Sequence, residues 1–320
     1  MSQQHCKLIQ IFHAAINVDL GFQCVNGEME IFWDQCGQAG WEYLCNRARA
    51  PMQQRWDYGA THNALGGQVI RAVIRQDGEP VALCQSVCRK FAGLVNVSLA
   101  TRGPLWLVPC DHAGALRLIR RSSPMPQPRA QLFTATDHTP RLIPLMTATT
   151  NAQLALPVDQ GALHGKWRNS LKKAQNSGLR VRHIACPTDA LMALLDVDQK
   201  QQGAKAYRAL PADFTLKWHQ RNPDDLRLIT VSISGCTVAS ALFIRHGNTA
   251  TYHIAHTTAA GRKLSAGRLA LWQAFTDFAA QGLRQIDLGQ IDTVNARGLA
   301  RFKLGTGAAA QVNGATVLAI

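Results

Sequence analysis

The strongest constraint on this chain is a repeat within it. The stretch RAVIRQDGEPVALCQSVCRKFAGLVNVSLA aligns without gaps on LITVSISGCTVASALFIRHGNTATYHIAHT at an offset of 157 residues, with Gly78 falling on Gly235 and Val97 on Ile254. Val81 and Ala82 fall likewise on Val238 and Ala239. Each copy reads as strand, tight turn, strand, turn, strand. The turns are Asp77-Gly78 and Ser234-Gly235, flanked by alternating or β-branched residues. An antiparallel meander present twice predicts two similar units in series, each of mixed α/β composition. A chain of 320 residues is long enough for two such domains.

The remaining elements fit around the meanders. Helices are expected from Asp34 to Ala50, Asp57 to Leu65 and Asp111 to Arg121. From Ser122 to Thr150 five prolines argue against long helices, and the domain boundary is placed at the end of that stretch. The predicted division is 1–28 as an extension of unknown role, 29–150 as the first domain and 151–320 as the second. In the second half a helix is expected from Asp159 to Ser177, capped by Asp159 and ended by Gly178. Further helices are expected from Thr188 to Gln202, Pro211 to Gln220 and Ser265 to Gln281. Strands at Gln285–Leu288 and Gln311–Ala319 complete the half.

Charge and cysteine usage narrow the class. Lys plus Arg total 34 against 20 Asp plus Glu, a formal net charge of +14, which attracts tRNA, nucleotide pyrophosphates or an anionic membrane surface. Nothing in the sequence points to DNA. No charged start followed by a long apolar run marks a secretory signal, and no long uncharged apolar stretch marks a membrane span. The nine cysteines are scattered without metal-site spacing, so no metal is expected and the thiols read as reduced, in a cytoplasmic protein.

Five segments carry the chemistry: MQQRWDYG, RGPLW, KWRNSLKKAQNSGLRV, ATYHIAHTTAAGRKLSAGRLALW and IDLGQIDTVNARGLARFKLGTGA. In their order and spacing they resemble the FemAB-type branch of the GNAT acyltransferase superfamily. The resemblance runs from about Met29 onward. It implies two tandem GNAT-like domains, each a mainly antiparallel sheet flanked by helices. It also implies transfer of an acyl or aminoacyl group to an amine. The best-known members use aminoacyl-tRNA as donor and a peptidoglycan precursor as acceptor.

That resemblance assigns roles residue by residue. Amide formation passes through a tetrahedral oxyanion that a nearby cation stabilises; the family's Phe-Lys pair falls on Phe302 and Lys303, with the ring seating the donor's terminal adenine. A substrate-facing aromatic falls on Tyr252. The neighbouring His253 points to the opposite face of the same strand and is a candidate base. In GRKLSAGRL, Arg262, Ser265 and Gly267 occupy the places of the GNAT pyrophosphate loop, with Ser where Gly is usual. Ser265 reads equally as a plain helix N-cap. Lys166, Arg168, Lys172 and Lys173 form a basic helix that either tracks RNA phosphates or is a solvated face. Arg55, Trp56, Tyr58 and Arg102 are expected on the acceptor side, with Tyr207 and Arg208. Asp287 ends a strand and is expected to orient a cation.

Three readings follow. The first is an aminoacyl-tRNA-dependent transferase acting on an anionic small-molecule or lipid-linked acceptor, with no permanently bound cofactor. The second keeps the fold and takes acyl-CoA at Arg262–Gly267. The third is a non-catalytic basic RNA-binding protein.

Overall fold

The computed structural model describes residues 28–135, 142–205 and 209–319. The N-terminal extension and the Tyr207-Arg208 pair fall essentially outside them. Both repeated turns fold as the alternation requires. Asp77 and Gly78 have φ of 52° and 81°, and Ser234 and Gly235 have 48° and 80°. Positive φ at both central residues is the hairpin turn whose twist matches its strands.

Among the described residues the strands form two sheets. The first takes β1 (Met29–Trp33), β2 (Gln68–Gln76), β3 (Glu79–Phe91), β4 (Val95–Ala100), β6 (Arg129–Ala135) and β7 (Leu142–Met146), with the short β5 (Leu105–Trp106) on β3. The second takes β8 (Thr150–Ala155), β9 (Arg180–Ala185), β10 (Leu226–Ile233), β11 (Cys236–His246), β12 (Thr249–Thr257), β13 (Gln285–Ile291) and β14 (Ala309–Val312). Helices α1 (Gln38–Arg47), α2 (Trp56–Ala64) and α3 (His112–Ser122) attend the first sheet. Helices α4 (Gly165–Gln175), α5 (Thr188–Lys205), α6 (Ala212–Arg221), α7 (Ala259–Lys263), α8 (Ala266–Ala280) and α9 (Arg297–Leu304) attend the second. This is the mixed α+β tandem arrangement expected.

Alternation along β11 builds the core of the second half. Ala239, Ala241 and Phe243 pack with Phe275 and Phe278 of α8. Leu242 and Ile244 pack on the other face with Leu191 of α5 and Trp218 of α6. That second cluster also takes in Met52 and Tyr58, so one apolar core crosses the seam between the halves.

The described part of the proline-rich stretch has no long helix after α3, as expected, and holds two short strands, β6 and β7. Two expectations need correction. The helix expected from Asp159 begins only at Gly165. Asp159 instead accepts from the Gly161 amide (3.0 Å) and caps a separate 3-10 turn. The strand expected from Gln311 to Ala319 is two strands. β14 pairs with β8, whereas β15 (Ala315–Ala319) crosses to the first sheet and lies between β6 and β7. Asn313, between them, donates to Asn151 (2.9 Å) and fixes the crossing.

Candidate functional site

The second sheet opens where its one parallel pairing ends. β12 pairs with β13 over three residues, Thr249–Thr251 opposite Gln285–Asp287, and the ladder goes no further although both strands continue. Just beyond this point a register shift in β12 places Phe243 opposite Tyr252 and Leu242 opposite Ile254. The extra residue is His253. Tyr252 therefore sits on the α8 face, its ring 5.3 Å from that of Phe243. His253 turns to the α6 face, where its Nε2 lies 2.8 Å from Thr215 Oγ1. Burial lowers its pKa to about 4, against the opposing pull of Asp198. His253 is thus neutral and already engaged, a poor base.

Lys303 sits at the same opening. It lies on α9, is only 7% exposed, and its Nζ donates to the Gln290 carbonyl at 2.8 Å. Burial lowers its pKa to about 8, with Asp287 pulling upward. A Cβ on Gly289 would stand 3.4 Å from Nζ, so the backbone of β13 passes close beside the ammonium. Phe302 packs at the edge of the core. Its carbonyl accepts from Trp167 Nε1 (3.0 Å), which ties α9 to α4, and the Arg268 guanidinium lies 5.5 Å from its ring centre. Burial lowers the Arg268 pKa, and its Nε has no partner among the described residues. Sequence reading passed over Arg268 because GRKLSAGRL was read for its backbone amides, not for its last arginine.

Asp287 lines a cavity of about 200 Å³ between the halves. There it forms an ion pair with Arg102 and accepts from the Gly289 amide (2.7 Å) and Asn151 (3.3 Å). Burial pushes its carboxyl up, but the guanidinium and these hydrogen bonds outweigh it and hold the pKa below the ordinary value. Asp287 does orient a cation, as expected, and the cation is Arg102 of the first half.

A larger cavity of about 560 Å³ also spans the seam, lined by Tyr58, His62, Arg89, Lys90 and Phe214 among others. Tyr58 packs against Phe214 of α6 at 5.1 Å, and burial pushes its hydroxyl up to about 12. Arg55 and Trp56 do not line either cavity. Arg55 is 1% exposed and donates to Glu42 (2.9 Å) and Asn46 (2.7 Å). The Arg71 guanidinium lies 3.8 Å from the Trp56 ring centre, and the Trp56 amide donates to Glu42. The MQQRWDYG segment is thus mostly a structural lock, with Gln54 donating to the Gln85 and Thr101 carbonyls. Of the expected acceptor residues, Tyr58 and Arg102 reach a cavity. Arg89 and Lys90, at the end of β3, were not singled out from the sequence.

The donor-side residues divide as well. Ser265 stands at the start of α8 with φ 58° and makes no side-chain cap, so it is not the ordinary N-cap expected. It holds a left-handed conformation that glycine adopts at no steric cost. Arg262 is exposed and donates back to the Thr257 carbonyl (2.6 Å), and Gly267 lies in the first turn of α8. Lys166, Lys172 and Lys173 are exposed on α4, with Arg168 half-buried beside them. Tyr252, Phe302 and Lys303 line neither of the two cavities. Among the described residues no three His, Cys, Asp or Glu side chains converge as a metal site, and the seven cysteines are free. No helix among them is long and apolar enough to cross a membrane.

The half that holds this opening matches a known family: residues 164–310 fit the acetyltransferase (GNAT) domain. Residues 164–310 thus resemble a GNAT acetyltransferase domain. The fold as a whole is similar to those of several solved structures. They include FemX, at 11% identity and a TM-score of 0.71, covering 90% of this chain and 97% of that one. A protein of unknown function from Bacteroides thetaiotaomicron superposes with a TM-score of 0.56 at 14% identity, over 91% of this chain and 100% of the other. A tandem GNAT protein of clavulanic acid biosynthesis gives 0.52 at 11% identity, over 91% and 98%. At such identities the likeness is one of fold. No curated protein sequence matches the chain. In the half that matches this domain, Lys303 reaches β13 at Gln290 and Arg268 lies by Phe302, while Tyr252 lies on the α8 face of the neighbouring β12.

Proposed function

We propose that this protein is a GNAT-type transferase that moves an aminoacyl group from aminoacyl-tRNA to an amine on an anionic acceptor, such as a peptidoglycan precursor. The observation that carries the reading is Lys303: a largely buried ammonium whose one hydrogen-bond acceptor among the described residues is the Gln290 carbonyl. Two of its three N–H groups stay available for an oxyanion. In the proposed step the acceptor amine attacks the ester carbonyl, and Lys303 donates to the oxygen as it gains charge. The ester C–O bond then breaks, the amide forms, and the amine's proton ends on the departing ribose hydroxyl. Phe302 and Arg268 would receive the donor's terminal adenine by stacking, and the exposed lysines of α4 its phosphates. The larger cavity, with Arg89 and Lys90 on its wall, would take the anionic part of the acceptor. The reading places the chain in the cytoplasm, where aminoacyl-tRNA is found.

The fit of the second half to an acetyltransferase family favours one other reading, acyl-CoA bound where Arg262, Ser265 and Gly267 open α8. A thermal-shift titration separates the two. Stabilisation by coenzyme A supports the second, because a ligand that binds only the folded state raises its stability. Salt-sensitive binding of aminoacyl-tRNA, with transfer to an amine and no shift with coenzyme A, supports the first. Binding of RNA without transfer of any acyl group leaves the non-catalytic alternative.

A further inference from the structure

The β3–β4 hairpin ends in an apolar tip that stays exposed among the described residues. Ala92 and Gly93 have φ of 49° and 72°, and the Leu94 amide donates to the Phe91 carbonyl at 3.0 Å, so the chain reverses tightly. Phe91 is 71% exposed and Leu94 76%. A folded chain gains nothing internally from two such side chains at the end of a rigid hairpin. The residues just before them, Arg89 and Lys90, are exposed cations. Exposed Leu65 lies at the same end of the β2–β3 pair, since Gln68 stands opposite Cys88. The hairpin is held firmly. Asn96 donates to the Pro126 carbonyl (3.0 Å) and its amide to the Pro128 carbonyl (2.9 Å).

We propose that this tip docks the protein on an anionic lipid bilayer. Aromatic and leucine side chains partition into the headgroup–acyl boundary, and cations one or two residues away meet acidic headgroups. RNA would use the cations but has no use for an aliphatic side chain. Leu94 therefore favours a lipid surface. Arg89, Lys90 and Leu65 also line the larger cavity, so docking would turn its mouth toward the bilayer. That last point rests on the acceptor reading above, but the docking itself does not.

Binding is measured without donor or acceptor, so failure of the transfer chemistry leaves it untouched. The full chain is floated with vesicles of phosphatidylcholine alone and of equal parts phosphatidylcholine and phosphatidylglycerol. Binding to the anionic vesicles only, weakened by salt, is expected. Phe91→Ser with Leu94→Ser should weaken it roughly tenfold or more while thermal stability holds, because both side chains are already in water. Amide exchange of the unaltered protein should slow at residues 89–95 when vesicles are added. The proposal fails if the anionic vesicles bind nothing, if the double variant binds as well as its parent, or if ribonuclease treatment abolishes binding. It also fails if the double variant changes the mass of the protein in solution, since the tip would then be a contact between copies.

Discussion

Arg102 and Asp287 are 185 residues apart in the chain and form an ion pair across the seam between the two sheets. Asp287 is 3% exposed, so its charge depends on this partner. Arg102→Ala leaves a buried carboxylate without its charge partner and should cost about 3 kcal/mol in urea unfolding. The pH dependence follows from the depressed carboxyl. Its contribution is complete above the ordinary aspartate value, about 4, and is lost as pH falls through the lower folded value. In Arg102→Ala the guanidinium no longer opposes the effect of burial on Asp287, so the variant should lose less on acidification than its parent.

Lys303 supplies a test of the chemistry. Lys303→Ala should lower kcat by about 100- to 1000-fold, the usual effect of losing one oxyanion donor, with acceptor affinity little changed. In the parent the rate should fall as pH rises through about 8, where the ammonium loses its proton. The variant should lack that alkaline limb. Stability has the opposite sign. Between about 8 and the ordinary lysine value the unfolded chain binds more protons, so the parent grows more stable with rising pH. Lys303→Met should remove that rise.

Asp225, half-buried beside Trp218, gives an independent titration in the second half. Burial raises its pKa to about 6, and Trp218 Nε1 donates to it at 3.1 Å. Because the folded value lies above the unfolded one, stability should decline between about pH 4 and pH 6 on this account. Asp225→Asn should raise Tm by a few degrees at pH 7 and converge with the parent near pH 4, as calorimetry across that range will read.

Gly247 faces the seam from the β11–β12 turn. Its φ is 57°, and a Cβ there would stand 2.4 Å from Arg55 Nη1. Gly247→Ala should cost about 3 kcal/mol, from the left-handed strain and from displacing Arg55 off Glu42 and Asn46. A lower urea midpoint at unchanged slope is the expected record.

Much of the fold was legible because its signals are local. The two turn dipeptides specify hairpins by sterics, and the spacing of Leu269, Phe275 and Phe278 specifies a buried helix. What depended on distant partners was not legible. Nothing in AAQVNGATVLA says that its two ends join different sheets; that is decided by Asn313 finding Asn151. Arg55 and Arg102 read alike as phosphate-binding arginines. One is a lock on Glu42 and the other a tie to Asp287, because the seam brings those carboxylates within reach. Phe302 and Lys303 were found through a motif, yet the desolvation of the ammonium comes from the packing of α9 against β13.

The crossing of β15 has a bearing on biosynthesis. Residues 142–146 cannot join the first sheet through β6 alone, since β15 lies between them and is translated after the whole second sheet. A nascent chain emerging in order would have to keep the β6 edge unpaired through that interval. Truncation before residue 315 should therefore expose the amino-terminal half to aggregation, even though the residues removed lie at the far end of the polypeptide.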